Sequence, residues 1–142
     1  MLFEQVKSIV DKDYPLISNL SNVSAVLNQL ENINWCGFYL VKEDALYLGP
    51  FQGEVACTKI PFNKGICGRC YTQKKTIIVD DVLSDADHIA CSSASHSEIV
   101  TPIMKEDKVV ALIDIDAPIK SRFSEKEAEL LENIAHFLAD LF

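Results

Sequence analysis

At Trp35 the hydrophobic period of this chain changes from helical to alternating, and apart from one short helix-like segment and one long polar stretch it stays so until Ser124. That switch limits the fold more than any other feature, because it places helices at both ends of a strand-rich centre. Before it, Leu2, Val6, Ile9 and Val10 share one helical face and Pro15 breaks the run. Val23, Leu27 and Leu30 resume the pattern behind the polar start Ser21-Asn22. After it, WCGFYLV reads as a buried strand, Glu43-Asp44 turn the chain into ALYLGP, and Gly53 leads to a third strand, EVACTKI. PFNKG and a short helix-like ICGRCYTQ come next, followed by the strand TIIVDD. Two further strands, EIVTPIM and VVALIDID, are joined by the charged turn Lys105-Glu106-Asp107. Ser124 and Glu127 have capping-box spacing, and Leu130, Leu131, Ile134, Phe137, Leu138 and Leu141 supply the apolar face of a last helix. The hairpin-like turns predict an α+β fold. Its core is a mostly antiparallel six-stranded sheet, with the N- and C-terminal helices packed on one side.

A chain of 142 residues is most simply one domain, residues 1–142, with no repeat or linker to an effector domain. The net charge of −8 argues against nucleic acid, whose phosphates need clustered Lys and Arg. No apolar run reaches the roughly 18 residues of a membrane span, and the amphipathic, acid-bearing N-terminus does not read as a secretory signal. A cytoplasmic protein is the resulting expectation.

In a reducing compartment the five cysteines, Cys36, Cys57, Cys67, Cys70 and Cys91, are not a structural disulfide framework. Cys36 inside WCGFYL and Cys57 beside Val55, Ala56 and Ile60 read as core thiols. Cys91 differs. It sits in a long polar stretch, LSDADHIACSSASHS, where small and imidazole neighbours leave it accessible and backbone amides could stabilise a thiolate. Loops of that length in a compact chain are often functional. The pair Cys67-Gly68-Arg69-Cys70 admits three readings. Zinc needs four ligands, and one CxxC offers two even if His88 or His96 joins them. A thioredoxin-type dithiol would follow a strand and open the first long helix of a βαβ unit, which is not this context. A short helix holding two small apolar residues at i, i+3 is the plainest reading.

The strand VVALIDIDA is apolar except for Asp114 and Asp116, which at i, i+2 point to one face. Either the strand end is wet, or something cationic or proton-bearing meets these acids. Glu98 could join them if its strand pairs with theirs. Three carboxylates around one cavity would suit an ammonium group, and crowding would raise at least one pKa towards that of a proton donor.

Several segments resemble one family: NWCGFYL, LYLGPFQGEVACTKIPFNKGICG, DHIACSSASHSEIVTPI and VVALIDIDAPIKSRFSEKEAELLENIA are similar to the free methionine-(R)-sulfoxide reductases, stand-alone enzymes of the GAF fold. The resemblance covers nearly the whole chain. It implies that Cys91 attacks the sulfoxide sulfur, that Cys57 resolves the sulfenic acid into a disulfide, and that Cys67 is an auxiliary cysteine. It places Glu98, Asp114 and Asp116 at acidic substrate-binding positions, and Trp35 and Tyr39 at aromatic positions lining the pocket. It further implies free methionine sulfoxide as substrate, a thioredoxin-like reductant, and no metal or organic cofactor. Cys70 and Cys36 depart from the family pattern, which usually has small residues there, and open the question of additional disulfides. The competing reading is a GAF module that senses a small molecule without chemistry. A homodimer is compatible with the sequence, since the first and last helices carry apolar faces that could pair across subunits.

Overall fold

A computed structural model of the chain describes residues 1–86 and 94–142. Two helices, α1 (Leu2–Ile9) and α2 (Leu16–Leu27), precede the strands β1 (Trp35–Val41), β2 (Leu46–Gly53) and β3 (Lys59–Ile60). Helix α3 (Gly65–Gln73) then leads to β4 (Ile77–Val79), β5 (Ser97–Lys105), β6 (Lys108–Ala117) and the last long helix, α4 (Glu125–Leu138). The strands form one six-stranded sheet in the order β3-β2-β1-β6-β5-β4, and every pairing is antiparallel. This is the α+β architecture that the change of period predicts. Among the described residues no helix is long and apolar enough to cross a membrane.

Two boundaries differ from the expectation. Helix α2 starts at Leu16, not behind Ser21-Asn22, with Pro15 as its N-cap. Proline lacks an N–H, but the first helical turn leaves its N–H groups unbonded anyway, so Pro15 introduces α2, while α1 has already ended at Ile9. The third strand is only two residues long. Residues 54–58 leave the ladder, Val55 is 89% exposed, and pairing to β2 resumes at Lys59. Gly53 makes this departure: its φ of +138° lies where side chains are strained, and a Cβ there would meet the Trp35 ring at 2.6 Å. The Lys105-Glu106-Asp107 turn is as expected, with Glu106 and Asp107 both at positive φ (53° and 64°), the geometry of a tight hairpin.

Each sheet face has its own core. On one face α1, α2 and α4 bring Val6, Leu20, Leu27, Leu131, Ile134 and Leu138 against Phe38, Ile99, Ile113 and Ile115. Each fully buried aliphatic side chain there contributes roughly 1.5–3 kcal/mol. Helix α4 is fixed at its start by the capping box between Ser124 and Glu127. Helix α1 packs against α4, Phe3 meeting Phe137 edge-on at 6.1 Å. On the opposite face the short helix α3 packs on the sheet, with Ile66, Cys67 and Cys70 over Val79, Val100 and Leu112.

Candidate active site

Strand register gathers the chemically costly residues under α3. Trp35 pairs with Asp116 and Gly37 with Asp114 across β1 and β6, while Glu98 pairs with Asp116 and Val100 with Asp114 across β5 and β6. Side chains alternate along a strand, so Trp35, Tyr39, Glu98, Asp114 and Asp116 all stand on the α3 face. The two aspartates do not mark a wet strand end. Asp114 is 5% exposed and Glu98 8%, with Asp116 half-buried at the rim.

No lysine or arginine neutralises these acids among the ion pairs of the described residues. Their pKa values rise instead. Burial pushes all three carboxyls well above the usual range, and they push one another: Asp116 acts on Asp114, Asp114 on Glu98, and Glu98 on Asp116. Protons shared among them therefore persist where an ordinary carboxyl would be ionised. The Cys67 thiol donates to Asp114 Oδ2 at 3.7 Å, and its own pKa is raised by burial and by the same acids. Cys67 is thus a protonated thiol facing a carboxyl group, not a free thiolate. Asp114 Oδ1 meets no fixed donor, and the carboxyl is held by protons shared with Glu98 and Asp116.

The aromatic residues do more than line a wall. Trp35 stacks between Phe51 (5.2 Å between ring centroids) and Tyr39 (6.1 Å). Its indole N–H donates to the Glu54 carbonyl at 3.1 Å, and the Tyr39 hydroxyl donates to the Cys57 carbonyl at 2.9 Å. The two rings therefore hold both ends of the irregular segment that carries Cys57. Gly37 between them permits the close strand approach, since a Cβ there would lie 2.3 Å from Phe51 Cβ.

The cysteines separate into distinct environments. Cys36, Cys67 and Cys70 are free and buried. Cys36 lies on the opposite sheet face, donates to the Ser24 carbonyl at 3.3 Å, and is pushed up to about 12 by burial with help from Asp114 and Asp116. Cys70 is fully buried, donates to the Val100 carbonyl at 3.6 Å, and is also raised, chiefly by burial. Reading Cys67 and Cys70 as small buried residues on one helical face therefore fits the structure. Cys57 corrects the expectation: it is neither in a strand nor a buried core thiol but half-buried and disulfide-bonded. Cys91 and His88 lie outside the described residues. His96 is half-buried and joins no metal-ligating group among the described residues.

One contact was not legible in the sequence. Arg69, between the two cysteines of GRC, pairs with Asp85 at 2.5 Å, and both side chains are largely buried. The ion pair ties α3 to the segment that precedes residue 87. Its only signal was a lone arginine inside an otherwise small and apolar helical turn.

Residues 22–142 match the model of the GAF domain family. The chain is 40% identical over 119 residues to the free methionine-R-sulfoxide reductase of Escherichia coli, covering 83% of this chain and 72% of that protein. The Saccharomyces cerevisiae enzyme of the same name is 42% identical over 131 residues, covering 86% and 73%. The chain belongs to the free methionine-R-sulfoxide reductase family. Its fold superimposes on the Neisseria meningitidis family member, solved in complex with its substrate, with a TM-score of 0.94 and 39% identity over 99% of this chain and 86% of the other. A free methionine-R-sulfoxide reductase is an oxidoreductase, and the resemblance carried by NWCGFYL, GEVACTKI and HIAC is confirmed at the level of family and fold.

Proposed function

We propose that the protein reduces free L-methionine (R)-sulfoxide to methionine, with Cys91 as nucleophile and Cys57 as resolving thiol. The observation that carries this reading is the buried, uncompensated carboxyl cluster of Glu98, Asp114 and Asp116 on the α3 face. A cluster without a protein cation is matched to a ligand that brings a positive charge and a proton-accepting oxygen. Free methionine sulfoxide has both, an α-ammonium group and a sulfoxide oxygen, and peptide bonding would remove the first. The stacked rings of Trp35 and Tyr39 on the same face offer an apolar wall to the S-methyl group.

In the proposed sequence the Cys91 thiolate attacks the sulfoxide sulfur while one carboxyl of the cluster gives its proton to the oxygen. The oxygen passes to Cys91, methionine leaves, and Cys91 becomes a sulfenic acid. The Cys57 thiol displaces that hydroxyl as water and forms a disulfide. A thioredoxin-like dithiol then reduces the disulfide by exchange. The disulfide-bonded state of Cys57, beside three free cysteines, supports its role as resolver. Its placement by Tyr39 and Trp35 explains how a residue on an irregular segment can be held ready for that step. Cys67, protonated and bonded to Asp114, is assigned an auxiliary role: orienting that carboxyl.

The test is Cys57→Ser. It should release about one equivalent of methionine per enzyme in a single burst, after which recycling by thioredoxin nearly stops. Sustained thioredoxin-dependent turnover at the wild-type rate would transfer the resolving role to Cys67 or Cys70.

A further inference from the structure

We propose that Arg69 is a positioning residue for the reduction: its ion pair with Asp85 fixes the chain that leads to the nucleophile against helix α3, and so sets the rate of the first chemical step. The inference rests on the proposed assignment of Cys91 as that nucleophile. Arg69 lies in α3, in the same turn as Cys67, whose thiol donates to Asp114 Oδ2 at 3.7 Å. Asp85 stands six residues before Cys91 in sequence. The guanidinium and the carboxylate are 2.5 Å apart, and their side chains are only 24% and 17% exposed. An exposed ion pair contributes little, because water and salt screen it and two long side chains lose their freedom. This pair is mostly withdrawn from water, where breaking one is costly because it strands the other charge. The rigid guanidinium also fixes the direction of approach as well as the distance.

The contacts around the pair show where it acts. The short turn Val82–Ser84 is capped by Asp81, whose carboxylate accepts from the Leu83 N–H at 3.2 Å and the Ser84 hydroxyl at 2.9 Å. The Val82 N–H donates to the His96 carbonyl at 2.9 Å, and Asn34 Nδ2 donates to the Ser95 hydroxyl at 3.3 Å. These bonds join the chain on either side of residues 87–93 and tie it to the start of β1. The Arg69 pair adds α3 to that frame. Asp85 also lies near enough to the acid cluster for its charge to raise the Glu98 carboxyl, so the pair stands at the edge of the proposed substrate site. A misplacement of about 1 Å at a reacting group can cost on the order of 10²-fold in rate, which sets the scale of what such an anchor contributes.

The test isolates the first step in full-length protein carrying Cys57→Ser, in which each enzyme should release methionine once. Adding Arg69→Ala should slow that burst by about 10- to 100-fold and leave its amplitude near one equivalent. Asp85→Asn should slow it to a similar degree. The double variant should be no slower than either single one, because both changes remove the same interaction. Arg69→Lys keeps the charge without the planar fork and should recover part of the loss. With Cys57 intact, Arg69→Ala should lower kcat in steady state while the KM for methionine sulfoxide stays within about threefold of wild type. A pair that serves only stability would lower the burst amplitude or the urea midpoint and leave the burst rate of the folded molecules unchanged. Circular dichroism identifies a variant that has lost its fold, and Arg69→Lys with the remaining single variant then decides. An unchanged burst rate in the folded variants, or losses that add in the double variant, would overturn the proposal. No burst in Cys57→Ser itself would refute the proposed reaction and the anchor with it, whereas a normal burst indifferent to Arg69 and Asp85 would refute the anchor alone.

Discussion

Serine in place of Cys91, the proposed nucleophile, should abolish the reduction of methionine sulfoxide, with a loss on the order of 10³-fold or more in kcat. The sulfoxide sulfur must be attacked by a nucleophile that can afterwards carry the oxygen as a sulfenic acid, and a serine hydroxyl is neither ionised near neutral pH nor able to take that oxidation state. The carboxyls of Glu98, Asp114 and Asp116 and the rings of Trp35 and Tyr39, proposed to bind the substrate, are held by the strands of the sheet and not by residue 91. Substrate affinity should therefore survive the change. The expected result is a variant that binds free methionine sulfoxide with wild-type affinity, measured by calorimetry, and forms no methionine with dithiothreitol or thioredoxin. Retained turnover would refute the assignment of the nucleophile.

Asn at position 114 is the second large effect, and it has two readouts. Asp114 is buried with its carboxyl raised by burial and by Asp116, and it accepts from Cys67. Removing its proton and its charge should lower kcat/KM by roughly 10²–10⁴, the range of a lost acid catalyst. The stability effect follows from the direction of the shift. A pKa raised in the native state means that the folded protein holds the proton more tightly than the unfolded chain. The resulting stabilisation is complete below the ordinary carboxylate pKa of about 4 and fades as pH rises through the native value. The wild type should therefore lose stability across that window as the cluster is forced to ionise. Asparagine carries no charge at any pH and also relieves Glu98, whose second-largest cause of elevation is Asp114. Urea midpoints of Asp114→Asn should decline less than wild type between about pH 5 and pH 9. Parallel pH profiles with unaltered kinetics would mean that the carboxyl is neither coupled to the cluster nor used in the reaction.

The fold was readable where hydrophobic period and capping agree, as in β1, β5, β6 and α4. These elements are fixed by local pattern, and tertiary packing only confirms them. Residues 54–58 were misread because VAC looks β-forming by composition, while their course is set by Gly53, by two aromatic side chains reaching from β1 and by the Cys57 disulfide. None of these is visible in a window of sequence. The start of α2 was misplaced because proline was read only as a breaker. At the site, two aspartates in an apolar strand were the strongest signal, and it was chemical: their cost demanded a reason, and the register then supplied Glu98 as the third member. The partition of the cysteines was legible only in part. Cys36 and Cys70 follow from apolar surroundings, but the half-buried, bonded state of Cys57 and the Cys67–Asp114 contact depend on long-range approach. Arg69 with Asp85 belongs to the same class, since the partner of a lone charge cannot be chosen without the fold.

The most direct measurement is a methionine-formation assay run in parallel on the free (R)-sulfoxide, the free (S)-sulfoxide and a peptide containing methionine sulfoxide, with dithiothreitol as reductant. Acids that select a free α-ammonium group predict turnover of the free sulfoxide with the peptide near background, and the family resemblance adds the expectation that the (R) isomer is reduced and the (S) isomer is not. Equal reduction of the peptide would contradict the account, because a substrate without that ammonium group would then gain nothing from Glu98, Asp114 and Asp116.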